Sequence, residues 1–366
     1  MLPEKPFQYK MDYKVLVSTW NVGGLQPSDG LDLEDLLQTK ETCYDIYVLG
    51  FQEIVPLNAK NIIGPERRSI SLRWNTVISE ALNKKYGEKK KRSSCEEYEC
   101  LICKQMVGIM VSVWVRRELQ KHFHHLSVSC VACGFLGFLG NKGSVSVRFF
   151  LHGTSICFVC CHLASGGKEG DEVYRNSDAI DIISRTNFPH ISSTNLPQKI
   201  FDHDRIILLG DLNYRISLPE AQTRSLVERK EWNLLLEKDQ LRYERAEGRV
   251  FADWEEGKIS FHPTYKYYPN TDKYYCSIQG KKEKARAPAW CDRILWYGKG
   301  LKQSEYKRCE LKLSDHRPVR GIFTVEVVAP SQSPSSPALS TTNFSSLMRS
   351  FFSSDGFERL DGHFEA

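Results

Sequence analysis

Polar side chains that could take part in catalysis accompany apolar runs at five separate places in the chain. Asn21 follows the run KVLVSTW, and Gln52 and Glu53 follow DIYVLGF. His162 lies within SICFVCCHL, and Asp211 ends RIILLGD, shortly before Asn213 and Arg215. A later segment holds Asp315 and His316. A single Asp or Asn at such a position commonly caps a helix or begins a turn. Five positions from distant parts of the chain indicate one shared site.

The residue types suit phosphoryl transfer. Glu53, with Asn21 and Asp315, offers the hard oxygen ligands that Mg²⁺ prefers. Phosphoryl transfer also needs cations and a group that positions the attacking water. Asp211 fits the water-positioning role, and charge could be balanced by Asn213, Lys142, His162 and His316. The chain has no C-x5-R loop of the kind that forms a phosphocysteine, so we expect water to attack directly.

Asp315 and His316 are adjacent in the segment LSDHRPV. Neighbouring side chains in a strand face opposite sides of the sheet, so a strand could not deliver both to one site. We therefore expect a loop here.

The elements that position these residues are short β-branched-rich runs separated by stretches of helical period. Strands are predicted at 14–20, 45–51, 107–115, 144–150, 155–163, 205–211, 292–298 and 319–328, and helices at 72–87, 177–186 and 218–241. Strands mixed with helices, without an internal repeat or linker, predict one layered α/β or α+β domain. In open α/β sheets the active site lies at the carboxyl ends of strands.

The glycine-rich stretch GFLGFLGNKGS, residues 134–144, has two interpretations. It could cradle a phosphate, but it lacks the GKS or GKT of a Walker A loop and a strand is predicted to follow it. Asn-Lys-Gly between apolar runs is also ordinary chemistry for a hairpin turn.

The 12 cysteines include three C-x-x-C pairs, namely Cys100/Cys103, Cys130/Cys133 and Cys157/Cys160. The first two pairs could form a four-thiolate zinc site. The alternative is reduced cysteine packed as a small apolar residue within strands, which is the default that we expect in a reducing compartment.

Composition limits the class of protein. The 366 residues have a formal net charge of +5, too small a surplus to imply a nucleic-acid partner by itself. No apolar run approaches the ~20 residues needed to cross a bilayer, and the first residues lack the apolar core of a secretory signal. We expect a cytoplasmic or nuclear protein that is not secreted.

Composition changes after Val328. The following segment, APSQSPSSPALSTTNFSS, is rich in Ser and Pro and is expected to be disordered. The sequence therefore predicts a catalytic domain over 14–328 and a tail over 329–366. Apolar residues return in LMRSFFSSDGF, which could be an amphipathic contact or a loose terminus.

A set of motifs resembles the inositol polyphosphate 5-phosphatases, and especially the plant enzymes. These motifs are TWNV, GFQEIVPL, GFLGNKGSVSVR, CHLASG with YRNSD, GDLNYRI, PTYKY, RAPAWCDRILW and SDHRPV. PAWCDRI together with GDLNYR is highly specific, whereas TWNV or SDHRP alone would indicate only the wider endonuclease/exonuclease/phosphatase superfamily. The resemblance implies a four-layered sandwich of two mixed sheets packed face to face, with helices outside.

The resemblance also implies roles for the site residues. Glu53 would bind the catalytic Mg²⁺, helped by Asn21 and Asp315, while Asp211 would orient and deprotonate the water and Asn213 would steady the transition state. The scissile phosphate would be contacted by His316 with its partner Asp292, and by His162, Asn141 and Lys142. A neighbouring 4-phosphate would be held by Tyr265, Lys266, Lys284 and Arg286, with further substrate contacts from Arg175 and Asn176.

The expected substrates are inositol 1,4,5-trisphosphate, phosphatidylinositol 4,5-bisphosphate and phosphatidylinositol 3,4,5-trisphosphate, handled by a monomer in peripheral contact with an anionic membrane surface. Contacts to the 1-phosphate do not transfer, because Gly166, Gly167 and Lys168 differ from the animal pattern. A nuclease or a sphingomyelinase-type phosphodiesterase on the same fold is one alternative, and a non-catalytic phosphoinositide-binding module is another.

Overall fold

The computed structural model describes residues 8–84, 97–134, 137, 139–189, 195–276 and 286–330. Two six-stranded sheets form the unit Gln8–Pro330. The first has the order β11-β12-β1-β2-β4-β3 and the second β5-β6-β7-β8-β10-β9. The strands are β1 Gln8–Asn21, β2 Ile46–Gln52, β3 Tyr98–Met106, β4 Ile109–Arg116, β5 Phe123–Ala132, β6 Gly143–Leu151, β7 Thr154–His162, β8 Arg205–Asp211, β9 Glu255–Glu256, β10 Asp292–Tyr297, β11 Leu301–Arg308 and β12 Val319–Pro330.

The helices cover the outer faces of the two sheets. They are α1 Glu34–Leu37, α2 Ala59–Ile63, α3 Arg68–Asn83, α4 Glu172–Arg185, α5 Glu220–Glu228, α6 Trp232–Leu236 and α7 Gln240–Ala246. Trp74 of α3 packs in a cluster with Trp20 of β1, and Ile182 of α4 packs in a cluster with Val159 of β7. The predicted four-layered sandwich is confirmed.

A third cluster fills the space between the sheets, where Val15 and Val48 of the first sheet meet Phe158 and Leu209 of the second. Each central strand is therefore covered on both faces, which explains why β2, β7 and β8 are continuous apolar runs. The sheets approach each other closely at Gly50, where a Cβ would lie 2.7 Å from Leu209 Cδ1.

All eight predicted strands are confirmed, but four further strands were not predicted. These are β3, β5, β9 and β11. The helix predicted at 218–241 is wrong in its continuity: α5, α6 and α7 are separate, and Lys230 between the first two has φ 57°. A left-handed residue cannot continue a right-handed helix.

β1 and β12 pair antiparallel along their whole length, from Gln8 opposite Pro330 to Thr19 opposite Val319. β1 therefore begins six residues before the predicted Lys14. No helix in the described ranges is both long and apolar enough to span a membrane.

The described cysteines are free thiols except Cys43, which is disulfide-bonded, so the expectation of reduced thiols is wrong at that residue. Cys157 and Cys160 are fully buried among apolar side chains, as small apolar residues in strand β7.

Candidate active site

The strand pairing brings the predicted site residues to one edge of the sandwich. Asn21 at the end of β1 lies opposite Gln52 in the parallel β1–β2 pair. In the other sheet Asp211 at the end of β8 lies opposite both His162 of β7 and Asp292 of β10. Since the two sheets face each other, these ends form one polar cluster.

Asp211 is the centre of this cluster and is 1% exposed. Its Oδ2 accepts a hydrogen bond from Asn21 Nδ2 at 2.9 Å, and its Oδ1 accepts one from the Asn213 backbone N–H at 3.1 Å. His162 Nε2 lies 3.4 Å from Oδ2 and His316 Nε2 lies 3.8 Å from it. Burial acts to raise the pKa of Asp211, but the surrounding His316, His162 and Lys142 hold the pKa well below its usual range. The carboxylate is therefore ionised.

His316 is oriented by Asp292. His316 Nδ1 hydrogen-bonds to Asp292 Oδ2 at 2.8 Å, and Thr264 Oγ1 donates to the same oxygen at 2.6 Å. Although burial lowers the pKa of His316, the carboxylates of Asp292 and Asp211 raise it to about 10. The imidazole is therefore a cation at neutral pH, with Nε2 facing Asp211.

We expect the Asp292→Asn substitution to change the pH dependence of catalysis. If the imidazolium of His316 is the active form, activity is kept below its pKa and is lost as the pH rises through about 10. Removal of the Asp292 charge lowers that pKa, so the falling limb of kcat/KM should move to lower pH. A pH–rate profile of both proteins measures this, and an unmoved limb would show that His316 does not act as a cation.

The segment with Asp315 and His316 is a loop, as predicted. Ser314 Oγ donates to the Asn21 carbonyl at 2.6 Å, and Trp20 Nε1 donates to the His316 carbonyl at 3.3 Å. The loop is thus attached to the end of β1. His316 turns towards Asp211, whereas Asp315 lies beside Lys266, with 3.4 Å between its Oδ2 and Nζ.

Glu53 and Asp211 both contact Asn21, and Asp315 Oδ1 would lie 3.4 Å from a Cβ at Gly23, two residues further on. Carboxylate oxygens fit a hard divalent cation. Asn21 Nδ2 donates to Glu53 Oε1 at 3.3 Å as well as to Asp211. The Glu53 and Asp315 side chains are 29% and 26% exposed, which leaves room for metal-bound water. The Asn21 Oδ1 atom, however, accepts from Gly23 N–H at 2.9 Å. In this arrangement Asn21 holds the carboxylates in place, and its oxygen is already engaged.

Asp211, Asp292 and His316 also offer ligand atoms within 4.8 Å of one another. In this group Asp292 is fully buried and its Oδ2 is already bonded to His316 and Thr264. A cation that keeps water ligands needs an open position. The Glu53 and Asp315 side chains are the more exposed carboxylates and could leave such a position open.

The hairpin between β5 and β6 brings Lys142 to the site. Lys142 Nζ lies 2.5 Å from His162 Nε2. Burial lowers the pKa of both groups, and Lys142 lowers that of His162 further, whereas Asp211 acts to raise the pKa of His162. The glycine-rich stretch is thus a hairpin turn that also supplies a cation. Asn141 precedes it, with Oδ1 buried and unpartnered.

Two site residues have the left-handed backbone conformation that residues other than glycine disfavour: Glu53 has φ 54° and Asn213 has φ 59°. Such conformations are concentrated at functional sites. The Asn213 side chain donates to the Leu163 carbonyl at 3.0 Å, and its Oδ1 accepts from Arg215 Nη2 at 2.6 Å. The Arg215 guanidinium lies over the Tyr265 ring, 4.5 Å from its centroid.

A cleft of ≈ 330 Å³ adjoins these residues. Arg215 and Arg286 line it, together with Gly166, Gly167 and Lys168. Tyr265 lies beside the cluster, with its ring 4.6 Å from that of His316. Lys284, which was predicted to act with these residues, lies outside the described residues.

The side chains of Arg175 and Asn176, for which substrate contacts are predicted, are bonded within the protein. Both are buried in α4: Arg175 Nη2 donates to Gln240 Oε1 at 2.8 Å, and Asn176 donates to Glu244 at 2.6 Å while accepting from Tyr214. Both side chains lie on the face of helix α4 that packs against α7, where their hydrogen bonds connect the two helices.

Sequence reasoning did not assign roles to Thr264, Arg215 or Gln240. Thr264 holds Asp292, and Gln240 Oε1 accepts from the Arg215 backbone N–H at 2.8 Å as well as from Arg175. Thr264 and Arg215 lie inside the motifs PTYKY and GDLNYR, next to residues that were assigned to the site, so the sequence could have indicated that they belong to it. Gln240 carried no such signal.

The site and the two-sheet sandwich are those of a phosphoesterase, and endonuclease/exonuclease/phosphatase family 2 matches residues 18–322, so the chain belongs to that family. Among its relatives, type IV inositol polyphosphate 5-phosphatase 9 of Arabidopsis thaliana is 55% identical, over 97% of this chain and 85% of that protein. Type I inositol polyphosphate 5-phosphatase 8 of the same plant is 48% identical, over 88% and 73%. Within the family the chain is therefore an enzyme of the inositol polyphosphate 5-phosphatase group.

Solved structures show the same architecture. The inositol polyphosphate 5-phosphatase domain of a synaptojanin, in complex with inositol (1,4)-bisphosphate and calcium ion, has a TM-score of 0.76 and 31% identity, covering 88% of this chain and 87% of that one. A Cimex nitrophorin, solved as a ferrous NO complex, has a TM-score of 0.62 at 20% identity, covering 86% of this chain and 99% of that one. The second likeness concerns the fold alone, since one fold can carry unrelated functions.

Proposed function

We propose that this enzyme removes the 5-phosphate of inositol polyphosphates and phosphoinositides by direct attack of water, with Mg²⁺ as its metal. The observation that carries the proposal is the cluster around Asp211, where an ionised carboxylate meets two histidines and Lys142 beside the open carboxylates of Glu53 and Asp315. The inositol bisphosphate and calcium ion bound to the synaptojanin domain support the same class of ligand and a divalent cation.

Glu53 and Asp315 would hold the metal, with Asn21 keeping Glu53 in position beside Asp211. The bound ion would supply positive charge to the phosphoryl oxygens. This assignment uses only oxygen ligands, as Mg²⁺ requires.

The remaining residues would position water and balance charge. Asp211 would accept a hydrogen bond from the attacking water. Its depressed pKa makes it a weak base, so orientation is its main contribution. The cationic His316 and Lys142 would neutralise the phosphate, and His162 and Asn213 would complete the ring of hydrogen-bonding groups.

Selection of the substrate would depend on the phosphate next to the scissile one. Lys266 Nζ lies 5.8 Å from the Tyr265 ring centroid, and Arg286 lines the adjoining cleft. These cations would bind a 4-phosphate, as found in inositol 1,4,5-trisphosphate, phosphatidylinositol 4,5-bisphosphate and phosphatidylinositol 3,4,5-trisphosphate. We propose a monomer in the cytoplasm or nucleus with peripheral contact to anionic membrane.

We expect Lys266→Ala to remove the preference for 4-phosphorylated substrates. A lost charge-assisted contact costs roughly 1.5 to 3 kcal/mol, or about one to two decades in catalytic efficiency. Phosphate release should be measured on inositol 1,4,5-trisphosphate and on inositol 1,5-bisphosphate, at low and moderate salt. The loss should affect the trisphosphate alone.

Exposed Lys302 on β11 offers a matched control, since Lys302→Ala removes the same charge from another element. Equal, salt-sensitive losses on both substrates would mean that Lys266 only adds to the general field of the cleft. No turnover on either substrate by the wild-type protein would contradict the proposed function itself, and hydrolysis of a phosphodiester instead would favour a nuclease or sphingomyelinase activity.

A further inference from the structure

Arg224 of helix α5 binds two separate backbone segments at the edge of the cleft. Its Nη2 atom donates to the carbonyl oxygens of Tyr275 and Arg286, the latter at 3.2 Å. Its Nε donates to Glu220 Oε1 at 2.8 Å. The guanidinium is largely enclosed, with 19% of the side chain exposed.

The first of these carbonyls belongs to Tyr275, which is bonded to Lys266, and the second belongs to Arg286, so both lead to cations assigned to the neighbouring phosphate. Arg286 itself lines the cleft. Tyr275 donates its backbone N–H to the Lys266 carbonyl at 2.7 Å, and the Lys266 ammonium lies 5.2 Å from the centroid of the Tyr275 ring. One guanidinium is therefore connected through backbone atoms to both Lys266 and Arg286.

Arg224 also neutralises the negative charge of Glu220. This carboxylate also lines the cleft, where it would repel a polyanionic substrate. Arg224 Nη2 lies 2.6 Å from Glu220 Oε1, so the pair is neutral overall. The two effects, spacing and neutralisation, can be separated by substitution.

We propose that Arg224 is a positioning residue for recognition of the neighbouring phosphate, because it fixes the spacing between Lys266 and Arg286. The inference rests on the proposed function, since it concerns the same subsite. Arg224 itself touches no substrate in this role. Its side chain acts through the carbonyls that it binds.

The test compares Arg224→Ala and Arg224→Lys with wild type on inositol 1,4,5-trisphosphate and inositol 1,5-bisphosphate. We expect the ratio of the two catalytic efficiencies to fall about tenfold in Arg224→Ala, mainly through KM of the trisphosphate, as lost charge-assisted hydrogen bonds would cause. Arg224→Lys keeps the charge without the forked donor, so it should lose most of the ratio as well. Arg229→Ala removes an exposed arginine from the end of the same helix and should leave the ratio unchanged.

The double variant Arg224→Ala/Glu220→Ala separates spacing from charge. If Arg224 fixes spacing, the double variant should remain as poor as Arg224→Ala. Recovery of the wild-type ratio would show that neutralising Glu220 is the whole role and would overturn the proposal. So would equal losses on both substrates accompanied by a lower melting temperature, which indicate a purely structural residue. A wild-type enzyme without preference for the trisphosphate would instead contradict the proposed function.

Discussion

Asp211→Asn is expected to lower kcat by about two orders of magnitude, which is the size of loss associated with misplacing a reacting group, because the charge that orients the attacking water is removed. The amide keeps the size of the side chain but loses the negative charge that faces His316 and Lys142. It also turns an acceptor into a partial donor towards His162. His316→Ala should cause a loss of similar size, because it removes a cation that is proposed to neutralise the scissile phosphate.

The double variant Asp211→Asn/His316→Ala should be little worse than the poorer single variant. Groups that stabilise one transition state lose their effect as a unit. Single-turnover rates of all three proteins, together with circular dichroism melts that establish folding, measure this. Losses that multiply strictly would mean that the two residues act independently, and a mild loss from either single substitution would remove that residue from the catalytic machinery.

Glu53→Gln is expected to abolish metal-dependent phosphate release, by more than about 100-fold, because a charged oxygen ligand contributes several kcal/mol to a site of this kind. Gln keeps the shape of the side chain and can still accept from Asn21, so the fold should persist. Residue 53 has φ 54°, and neither Glu nor Gln is β-branched, so the substitution should add no backbone strain. The wild-type melting temperature should rise with Mg²⁺, and that of Glu53→Gln should not.

Glu247→Gln is a matched control, since Glu247 is a partly exposed carboxylate paired with Arg249. It should respond to Mg²⁺ as the wild type does. Full wild-type activity in excess chelator would rule out the metal mechanism. A Glu53→Gln protein that still gains thermal stability from Mg²⁺ would place the metal on other ligands, with Asp211, Asp292 and His316 as the next group to test.

The sequence predicted those parts of the fold whose residues face the interior on both sides. β2, β7 and β8 are buried along their whole length, so they were visible as apolar runs. β11 has alternating exposure and the polar sequence LKQSEYKR, and its place at a sheet edge comes from pairing with β12. That pairing is a long-range contact, which local pattern does not encode.

The same division holds for the site. Residues at strand ends, such as Asp211 and His162, were predictable because sheet pairing brings strand ends together. Arg175 and Asn176 could not be placed, since the rotation of α4 decides whether their side chains face the cleft or α7. Arg224 lies outside every recognised motif, and its role depends on two carbonyls distant in sequence.

The full-length pairing of β1 with β12 has a practical consequence for protein engineering. Gln8 and Pro330 are antiparallel partners, so their Cα atoms lie within about 5.5 Å of each other. β1 is 14 residues long, which at ~3.3 Å per residue puts these positions roughly 40 Å from the catalytic edge. A fluorescent reporter fused at either position of a chain trimmed to 8–330 would stand clear of the substrate. A linker of a few glycines could equally join the two positions and give a circular permutant with new termini elsewhere.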